Sequence, residues 1–264
     1  MTDNQFPGEA RVALSLSFDD ARDSQLDVAL PVLKAHGVRA TFYVLPAHVW
    51  RRRHEWQAVV DGGHEIANHT ATHPCSGNFE FSRTNALEDY SLERMEAEID
   101  RASGRIEALL GVRPETFAYP CGQSFVGRGE GRTSFVPLVA RRFVAGRGYG
   151  SETSNDPESC DLAHLDAFTI DGLDAAQLVD MVDAGTAAGR WVVMAGHDVG
   201  EGGDQTVLVD ALEALCRRAS QADVWVAPVV EVAKRLRQRQ DRPHPLPPPT
   251  GRGQIGSAPE AGRS

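Results

Sequence analysis

The chain has 264 residues, with 27 basic and 37 acidic side chains and a formal net charge of −10 at neutral pH. This acidic balance argues against nucleic acids and anionic membranes as partners, because binding to phosphates requires a basic face. Apolar residues make up 41% and charged residues 24% of the sequence, which is typical of a globular chain long enough to bury a core.

No stretch of the sequence reaches the roughly 20 apolar residues that a membrane span requires, so we expect no membrane insertion. The N-terminus, MTDNQFPGEA, is polar and lacks the apolar segment of a secretory signal. Together these features predict a cytoplasmic location.

The cysteines are widely spaced and form no CxxC motif; they are Cys75, Cys121, Cys160 and Cys216. Neither a disulfide framework nor a structural zinc site has this spacing. We therefore predict free thiols in a reducing compartment.

Strand-like and helix-like stretches alternate along the first half of the chain. Apolar runs rich in β-branched or aromatic residues predict strands at 12–18, 40–46, 64–69 and 116–120. Apolar residues at helical spacing predict a helix that stops at Gly37 and a longer one that stops at Gly111.

The alternation resumes after a predicted long loop at 121–137, which is rich in Gly, Ser and Arg. The runs LDAFTI, WVVMAGH and VWVAPV predict strands, and they are separated by predicted helices at 174–188 and 205–219. This α/β alternation favours a parallel sheet or barrel. We expect a single domain over residues 1–240 and a disordered tail at 241–264, which is rich in Pro, Gly and Ser.

Polar side chains suited to catalysis follow four of the predicted strands. They are Asp19 and Asp20 after the first strand, His69 and His73 after the third, the turn 119–122 after the fourth, and His197 and Asp198 after a later one. Functional groups of parallel α/β folds gather at the carboxyl ends of the strands. These residues therefore predict a single active site.

His69 and His73, in NHTATH, can reach one ion if the backbone between them forms a helical turn. The motif lacks the Glu of HExxH, so a zincin-type protease is a poor interpretation. Two histidines and one carboxylate leave open positions on a metal, as a catalytic site requires. One carboxylate of the pair Asp19–Asp20 could then bind the ion, while the other accepts a proton from a water molecule.

The motifs SFDD, ATFYV, GHEIANHTATH, FAYPCG and AGHD occur in this order along the chain. Together they resemble the polysaccharide deacetylase family, which is NodB-like and is also known as carbohydrate esterase family 4. The resemblance runs from about residue 11 to residue 235. It implies a distorted (β/α) barrel of about seven parallel strands. It also implies a hydrolase that uses one divalent metal to remove acetyl groups from amino sugars or, less often, esters.

By position, the resemblance makes Asp19 the general base and assigns Asp20, His69 and His73 to the metal. The ion is expected to be zinc, with cobalt, manganese or nickel as alternatives. The expected substrate is an acetylated sugar or oligosaccharide, and the sequence leaves the oligomeric state open.

The resemblance also assigns the groups that act on the leaving amine and on the oxyanion. His197 would be the general acid, and the backbone N–H of Cys121 would face the oxyanion. A carboxylate is expected near His197 to keep its pKa near neutrality. Asp174 and Asp171, both in TIDGLDA, are the candidates, with Asp174 at the position of the family's fourth motif.

The sequence departs from the family pattern at three positions. Many members carry an Arg, paired with the catalytic Asp, where this chain has Ala118. Arg113 is a candidate replacement, although surface packing is the simpler interpretation of that side chain. Cys121 occupies the place of a Tyr of which only the N–H is needed, and Ala175 stands where a Trp is frequent.

Other functions share parts of this pattern. An O-acetyl esterase or a hydrolase of another linear amide would use the same groups. An oxygen-dependent iron enzyme also binds its metal with two His and one carboxylate, but usually in an HxD…H order on an all-β scaffold. An inactive carbohydrate-binding relative would need neither Asp19 nor Asp20.

Overall fold

Twelve β-strands lie within residues 5–240, the part of the chain that the computed structural model describes. In chain order they are β1 (Val12–Asp19), β2 (Thr41–Val44), β3 (Glu65–Asn68), β4 (Thr116–Ala118), β5 (Phe125–Val126), β6 (Thr133–Ser134), β7 (Ala145–Arg147), β8 (Phe168–Thr169), β9 (Trp191–Gly196), β10 (Asp198–Gly200), β11 (Thr206–Leu208) and β12 (Val224–Val226). Every strand that the sequence predicts is confirmed, although several are shorter than their apolar run.

The same residues contain eight α-helices. They are α1 (Leu30–Ala35), α2 (Pro46–Arg51), α3 (Arg53–Asp61), α4 (Leu92–Leu110), α5 (Val136–Arg142), α6 (Ala175–Ala188), α7 (Val209–Ala219) and α8 (Val229–Gln240). A π-helical turn at Gln25–Ala29 leads into α1, and 3₁₀ turns lie at Glu80–Ser82, Leu87–Asp89, Pro120–Gly122 and Gly129–Gly131. The ends of α4 follow from its sequence: Ser91 caps its first turn, and Gly111 ends it in the left-handed conformation.

The main sheet is parallel and has the strand order β7-β4-β3-β2-β1-β9-β8. The seven strands curl through 247° into a half-barrel. The eighth strand, β12, pairs with the first residues of β1. This architecture confirms the predicted distorted (β/α) barrel of about seven parallel strands.

β1 lies at the centre of this sheet and separates two layers. Its even-numbered side chains, Val12, Leu14, Leu16 and Phe18, pack in the main apolar core with residues of the surrounding helices. Its odd-numbered side chains are small inside the barrel, where Ser15 accepts a hydrogen bond from the indole of Trp191 at 3.0 Å. Because side chains alternate along a strand, Asp19 continues this inner row at the carboxyl end of β1.

The structure differs from the prediction mainly around the predicted loop at 121–137. That segment contains the β5–β6 hairpin and the first residues of α5, and the unpredicted β7 follows α5. β7 consists of Ala-Gly-Arg, which carries no β-branched or aromatic signal. Gly146 is required there, since a Cβ would lie 2.4 Å from the carbonyl oxygen of Ala163. This strand could not be predicted from the sequence, because its composition is set by close backbone packing and not by β propensity.

The tail at 241–264 lies outside the described residues, and the single domain over 1–240 stays a prediction. Among residues 5–240, every helix is too short or too polar to span a lipid bilayer.

A disulfide joins Cys75 and Cys121, with their Cα atoms 6.1 Å apart, so the prediction of free thiols is wrong for these two residues. The two cysteines follow β3 and β4, which are neighbours in the sheet, although 46 positions separate them in sequence. Cys160 and Cys216 are free thiols, as predicted. The sequence spacing of Cys75 and Cys121 gave no sign of the disulfide, because the pairing of β3 with β4 brings the two loops together.

We expect the double variant Cys75→Ser/Cys121→Ser to unfold about 2–4 kcal/mol more easily than the wild type, because the cross-link restricts the unfolded chain. Urea unfolding monitored by circular dichroism measures this difference. Cys160→Ser is the matched control and should leave the unfolding free energy unchanged. Non-reducing peptide mapping should recover the linked peptide, and recovery of four alkylated cysteines would contradict the disulfide.

Candidate active site

A cleft of about 570 Å³ opens at the carboxyl ends of the parallel strands. It is lined by the residues predicted for the metal, base, acid and oxyanion roles: Asp19, Asp20, His69, His73, Cys121 and His197. The curled sheet therefore brings together groups that are spread over nearly 180 positions of the sequence, as the strand-end pattern predicted.

Asp20, His69 and His73 point their ligand atoms at a common position. The Oδ1 atom of Asp20 lies 3.6 Å from Nε2 of His69 and 3.7 Å from Nε2 of His73. All three atoms lie within 4.8 Å of one another. The arrangement has the spacing that a shared cation needs, since two ligands at about 2.1 Å from zinc lie roughly 3.4 Å apart in tetrahedral geometry.

The backbone that presents these residues is a tight turn rather than the helical turn that the sequence suggested. Thr70 and His73 have positive φ angles of 67° and 51°. Asn68 accepts the N–H of Thr70 at 2.7 Å, and the hydroxyl of Thr70 accepts the N–H of His73 at 3.0 Å. These side-chain acceptors hold a conformation that non-glycine residues otherwise avoid.

The electrostatics of the three groups suit a cation. The Nδ1–H of His69 donates to the carbonyl of Ala118 at 3.0 Å. The lone pair of Nε2 is then available to bind a metal ion. Burial and the neighbouring His69 lower the pKa of His73 to about 4, so its imidazole is neutral at neutral pH, as metal binding requires. Oδ1 of Asp20 is buried and has no hydrogen-bond partner among residues 5–240. A buried carboxylate oxygen facing two imidazoles fits a metal ligand.

Asp19, directly before this cluster, forms a buried ion pair with Arg147. The guanidinium of Arg147 donates to Oδ1 of Asp19, and the two residues are 0% and 3% exposed. Burial opposes ionisation of Asp19, but the charges of Arg147 and His69 outweigh it and keep the pKa of Asp19 below its ordinary value. Asp19 is therefore held ionised, with Oδ2 only 3.9 Å from Nε2 of His69.

Arg147 supplies the guanidinium that was expected at position 118, where this chain has Ala. Ala118 on β4 and Arg147 on β7 are direct partners in the parallel register, so their side chains stand side by side on one face of the sheet. The guanidinium that many family members carry at the first position comes here from the adjacent strand. Arg113 does not replace it, because its exposed side chain pairs with Glu107 at 3.1 Å.

The predicted general acid, His197, follows β9, and its partner Asp171 follows β8. Oδ2 of Asp171 accepts the Nδ1–H of His197 at 2.6 Å, and Oδ1 accepts its backbone N–H at 3.0 Å. Burial lowers the pKa of His197, but the hydrogen bond to Asp171 and the charge of Asp19 outweigh it and raise this pKa above the ordinary value. The imidazole thus keeps its proton to higher pH.

Asp174 does not perform the role that the sequence analysis gave it. Its carboxylate is exposed and accepts the N–H of Gln177 at 2.9 Å, and the Gln177 side chain accepts the N–H of Asp174 in return. This capping box fixes the start of α6. The motif TIDGLDA therefore contains one carboxylate for His197 and one for the helix, and spacing alone could not distinguish them.

Cys121 reaches the cleft from a turn in which it has a φ of 53°. The following Gly122 also has a positive φ, and a Cβ there would lie 2.9 Å from the carbonyl oxygen of Tyr149. The turn is thus fixed on both sides, by the disulfide and by close backbone packing. The role of the Cys121 N–H at an oxyanion stays a prediction.

Gln25 was not predicted as a site residue, yet it joins the two strands that carry the predicted base, Asp19, and the predicted acid, His197. It is fully buried, and its Nε2 donates to the carbonyls of Asp19 at 2.6 Å and of His197 at 3.0 Å. Its amide therefore fixes the distance between the ends of β1 and β9.

Arg22 and His48 hold the unusual conformation of Asp20, whose φ is 75°. Arg22 donates to Oδ2 of Asp20 at 3.0 Å and to Asp198 at 2.7 Å. His48 donates through Nδ1 to the carbonyl of Asp20 at 2.7 Å. Arg22 lies two positions after Asp20 in the sequence, and this proximity could have indicated the contact. Nothing in the sequence around His48 indicates its contact with Asp20.

Comparisons with known proteins find relatives that share these residues' part of the chain. Residues 8–126 match the family model described as polysaccharide deacetylase. The match includes Asp19, Asp20, His69 and His73 and ends before β7. A crystal structure of a Mycobacterium smegmatis protein classed with the polysaccharide deacetylases superimposes with a TM-score of 0.61, covering 92% of this chain and 96% of that one. At 17% identity, this likeness shows the fold alone.

Two curated relatives match shorter segments. A chitooligosaccharide deacetylase of Sinorhizobium fredii is 40% identical over 68 residues, which is 25% of this chain and 32% of that protein. Chitin deacetylase 1 of Cryptococcus neoformans is 30% identical over 107 residues, which is 40% of this chain and 20% of that protein. The aligned part thus spans less than a third of either relative. The family match over residues 8–126, the barrel and the motif order together support a NodB-like polysaccharide deacetylase.

Proposed function

We propose that this protein is a metal-dependent hydrolase that removes acetyl groups from N-acetylated sugars or oligosaccharides. One observation carries the proposal: an ionised Asp19, held by Arg147, lies beside a cluster of Asp20, His69 and His73 in the same cleft as His197. The cleft thus contains a base, a potential metal site and an acid in a family named for deacetylation.

Asp20, His69 and His73 would hold one divalent cation, with zinc as the first choice for a set of one carboxylate and two imidazoles. When bound, such an ion polarises the acyl carbonyl and lowers the pKa of water. Cobalt, manganese and nickel accept similar ligands, so elemental analysis of the purified protein is needed to identify the ion.

Hydrolysis then needs two proton transfers on opposite sides of the substrate. Asp19 accepts a proton from the attacking water, whose oxygen adds to the carbonyl carbon. His197, protonated and oriented by Asp171, gives its proton to the leaving nitrogen as the carbon–nitrogen bond breaks. The products are acetate and a free amine.

The oxyanion that forms during attack needs a donor. The N–H of Cys121 is the proposed group, and a preorganised donor of this kind contributes about 3–4 kcal/mol to the transition state. The disulfide and the close packing of Gly122 keep this turn rigid, which is what preorganisation requires.

An acetylated carbohydrate is the proposed substrate because both curated relatives above are named for chitin or chitooligosaccharides. An O-acetyl group could be attacked by the same residues without help from His197, since an alkoxide or alcohol leaves more readily than an amine. Comparison of N-acetyl and O-acetyl substrates in one assay separates the two activities.

The first prediction concerns Asp19 and the metal cluster. We expect the wild type and Asp19→Asn to bind one divalent metal each, since Asp19 is not a ligand, but only the wild type to release acetate from a panel of acetylated sugars. We expect His69→Ala/His73→Ala to lose the metal. Elemental analysis and an acetate assay measure the two properties separately. Full activity of Asp19→Asn would reject Asp19 as the base. Undiminished metal in His69→Ala/His73→Ala would reject the two histidines as ligands.

The second prediction concerns Arg147. Arg147→Met leaves Asp19 buried without its cation, which costs about 3–5 kcal/mol of unfolding free energy. The pKa of Asp19 should rise, because burial then dominates, and the acidic limb of kcat/KM should move to higher pH. Urea unfolding and a pH–rate profile measure these effects. The double variant Asp19→Asn/Arg147→Met should be less destabilised than the sum of the single variants, and additivity would show that the pair is not coupled.

The third prediction uses two aspartates of one motif as a matched pair. Asp171→Asn removes the negative charge at Nδ1 of His197, so the pKa of His197 falls and the alkaline limb of the pH–rate profile moves to lower pH. Asp174→Asn should leave the profile unchanged, because Asn caps a helix about as well as Asp. A shift in Asp174→Asn, or none in Asp171→Asn, would reverse the assignment. Activity is measured on the same N-acetylated sugar across the pH range.

A further inference from the structure

A second group of possible metal ligands lies directly beside the proposed metal cluster. It consists of His73, Cys75 and Cys121, whose ligand atoms all lie within 4.8 Å of one another. The group shares His73 with the cluster that also contains Asp20 and His69. The mechanism above makes no use of its sulfur atoms.

The two groups face opposite nitrogen atoms of the His73 ring. Nε2 lies 3.7 Å from Oδ1 of Asp20, and Nδ1 lies 3.7 Å from Sγ of Cys75. A neutral imidazole carries one N–H and one lone pair, and it binds a metal through the nitrogen that has the lone pair. His73 can therefore serve only one of the two groups at a time.

The sulfur atoms of Cys75 and Cys121 are joined in a disulfide, and a thiolate pair forms only when that bond is reduced. The two Cα atoms are 6.1 Å apart, which allows both thiolates to lie about 2.3 Å from one zinc ion. The hydroxyl of Ser82 accepts the N–H of Cys75 and donates to its carbonyl, each at 2.9 Å. Gly122 packs closely behind the turn of Cys121. Because these contacts do not involve the sulfur atoms, the reduced thiols would stay next to His73.

A reductant has access to the disulfide from the cleft. Cys121 is partly exposed and lines the cleft, whereas Cys75 is fully buried. The thiolate of a small dithiol would attack Sγ of Cys121, and the sulfur–sulfur bond would break with release of Cys75 as a thiolate. The second thiol then attacks the mixed disulfide and releases Cys121. Two electrons thus pass from the dithiol, which leaves as a disulfide, to the protein.

We propose that reduction of the Cys75–Cys121 disulfide creates a second metal site, in which the two thiolates and Nδ1 of His73 capture a thiolate-binding ion such as zinc. Two cysteines and one histidine are a donor set that zinc accepts, and thiolates favour zinc over the harder manganese. Each thiol releases its proton to water as it binds. Capture turns the lone pair of His73 away from Asp20 and His69. The second site is independent of the proposed function, and only the loss of hydrolysis that follows from capture rests on it.

The first test uses cobalt(II) alone as the probe, because a cobalt–thiolate bond gives a charge-transfer band in the near ultraviolet. The full chain is reduced with dithiothreitol, freed of it by gel filtration under nitrogen, and titrated with cobalt. Reduction should raise the number of free thiols from two to four and produce the band at one cobalt per chain. The oxidised protein should show no such band.

Two variants serve as matched controls for the band. Cys75→Ser/Cys121→Ser lacks the disulfide, as the reduced wild type does, and should show no band. Cys160→Ser removes a thiol outside the group and should keep the full band after reduction. His73→Ala, if reduced, should bind cobalt at least roughly 10- to 100-fold more weakly, since loss of even a partner hydrogen-bonded to a ligand costs that much.

A second measurement identifies the nitrogen of His73 that holds the ion. Long-range proton–nitrogen NMR on protein with isotope-labelled histidine distinguishes the two ring nitrogens. With one equivalent of zinc, we expect the ion on Nε2 in the oxidised protein and on Nδ1 in the reduced protein. Acetate release should be lost on reduction at this zinc level and should return when the disulfide is reformed.

The remaining outcomes reject the inference or separate it from the proposed function. A disulfide that resists the dithiol in the folded protein, or four free thiols without the band, would reject the second site. A band that persists in Cys75→Ser/Cys121→Ser would also reject it, and zinc that stays on Nε2 of His73 would reject the capture. If the oxidised protein released no acetate but the reduced protein showed the band, the proposed function would fail and the second site would stand. If acetate were released equally in both states and no band appeared, the second site alone would fail.

Discussion

The site depends on one buried ion pair, between Asp19 and Arg147. A carboxylate with 3% of its surface exposed would ordinarily take up a proton, and a neutral acid cannot serve as a base. The guanidinium, fully buried, reverses this preference and keeps the negative charge next to the metal cluster. The pair also links β1 to β7, two strands that are not neighbours in the sheet, so the contact that holds the charge of Asp19 also spans the half-barrel.

Around that pair, the cleft is built from strained or restrained backbone. Asp20, Thr70, His73 and Cys121 are all non-glycine residues with positive φ angles at the site. Such conformations cost free energy and persist only where surrounding contacts enforce them. Here side chains, carbonyls and the disulfide enforce them. Rigidity of this kind suits a reaction in which base, acid and oxyanion donor must act on one small group.

The sequence predicted much of this site because its main residues lie at strand ends. Asp19, Asp20, His69, His73 and His197 are short-range signals, each following an apolar run. The residues that sequence analysis missed act through register instead. Arg147 lies on a three-residue strand without a β pattern, and its partner Ala118 is 29 positions earlier. Gln25 and His48 act through side-chain hydrogen bonds to main-chain carbonyls, which no motif encodes. Asp171 could be distinguished from Asp174 as the partner of His197 only once the start of α6 was known, because Asp174 caps that helix.

The disulfide between Cys75 and Cys121 has a consequence beyond stability. One of its cysteines lies two positions after His73, a proposed metal ligand, and the other supplies the proposed oxyanion donor. The covalent link thus ties the segment after His73 to the turn that carries the N–H of Cys121. The thiol chemistry of the surroundings would consequently set how well these two segments are aligned, without altering any carboxylate or imidazole of the cleft. Preparations kept in a reductant and preparations left in air should be regarded as different states of the catalyst.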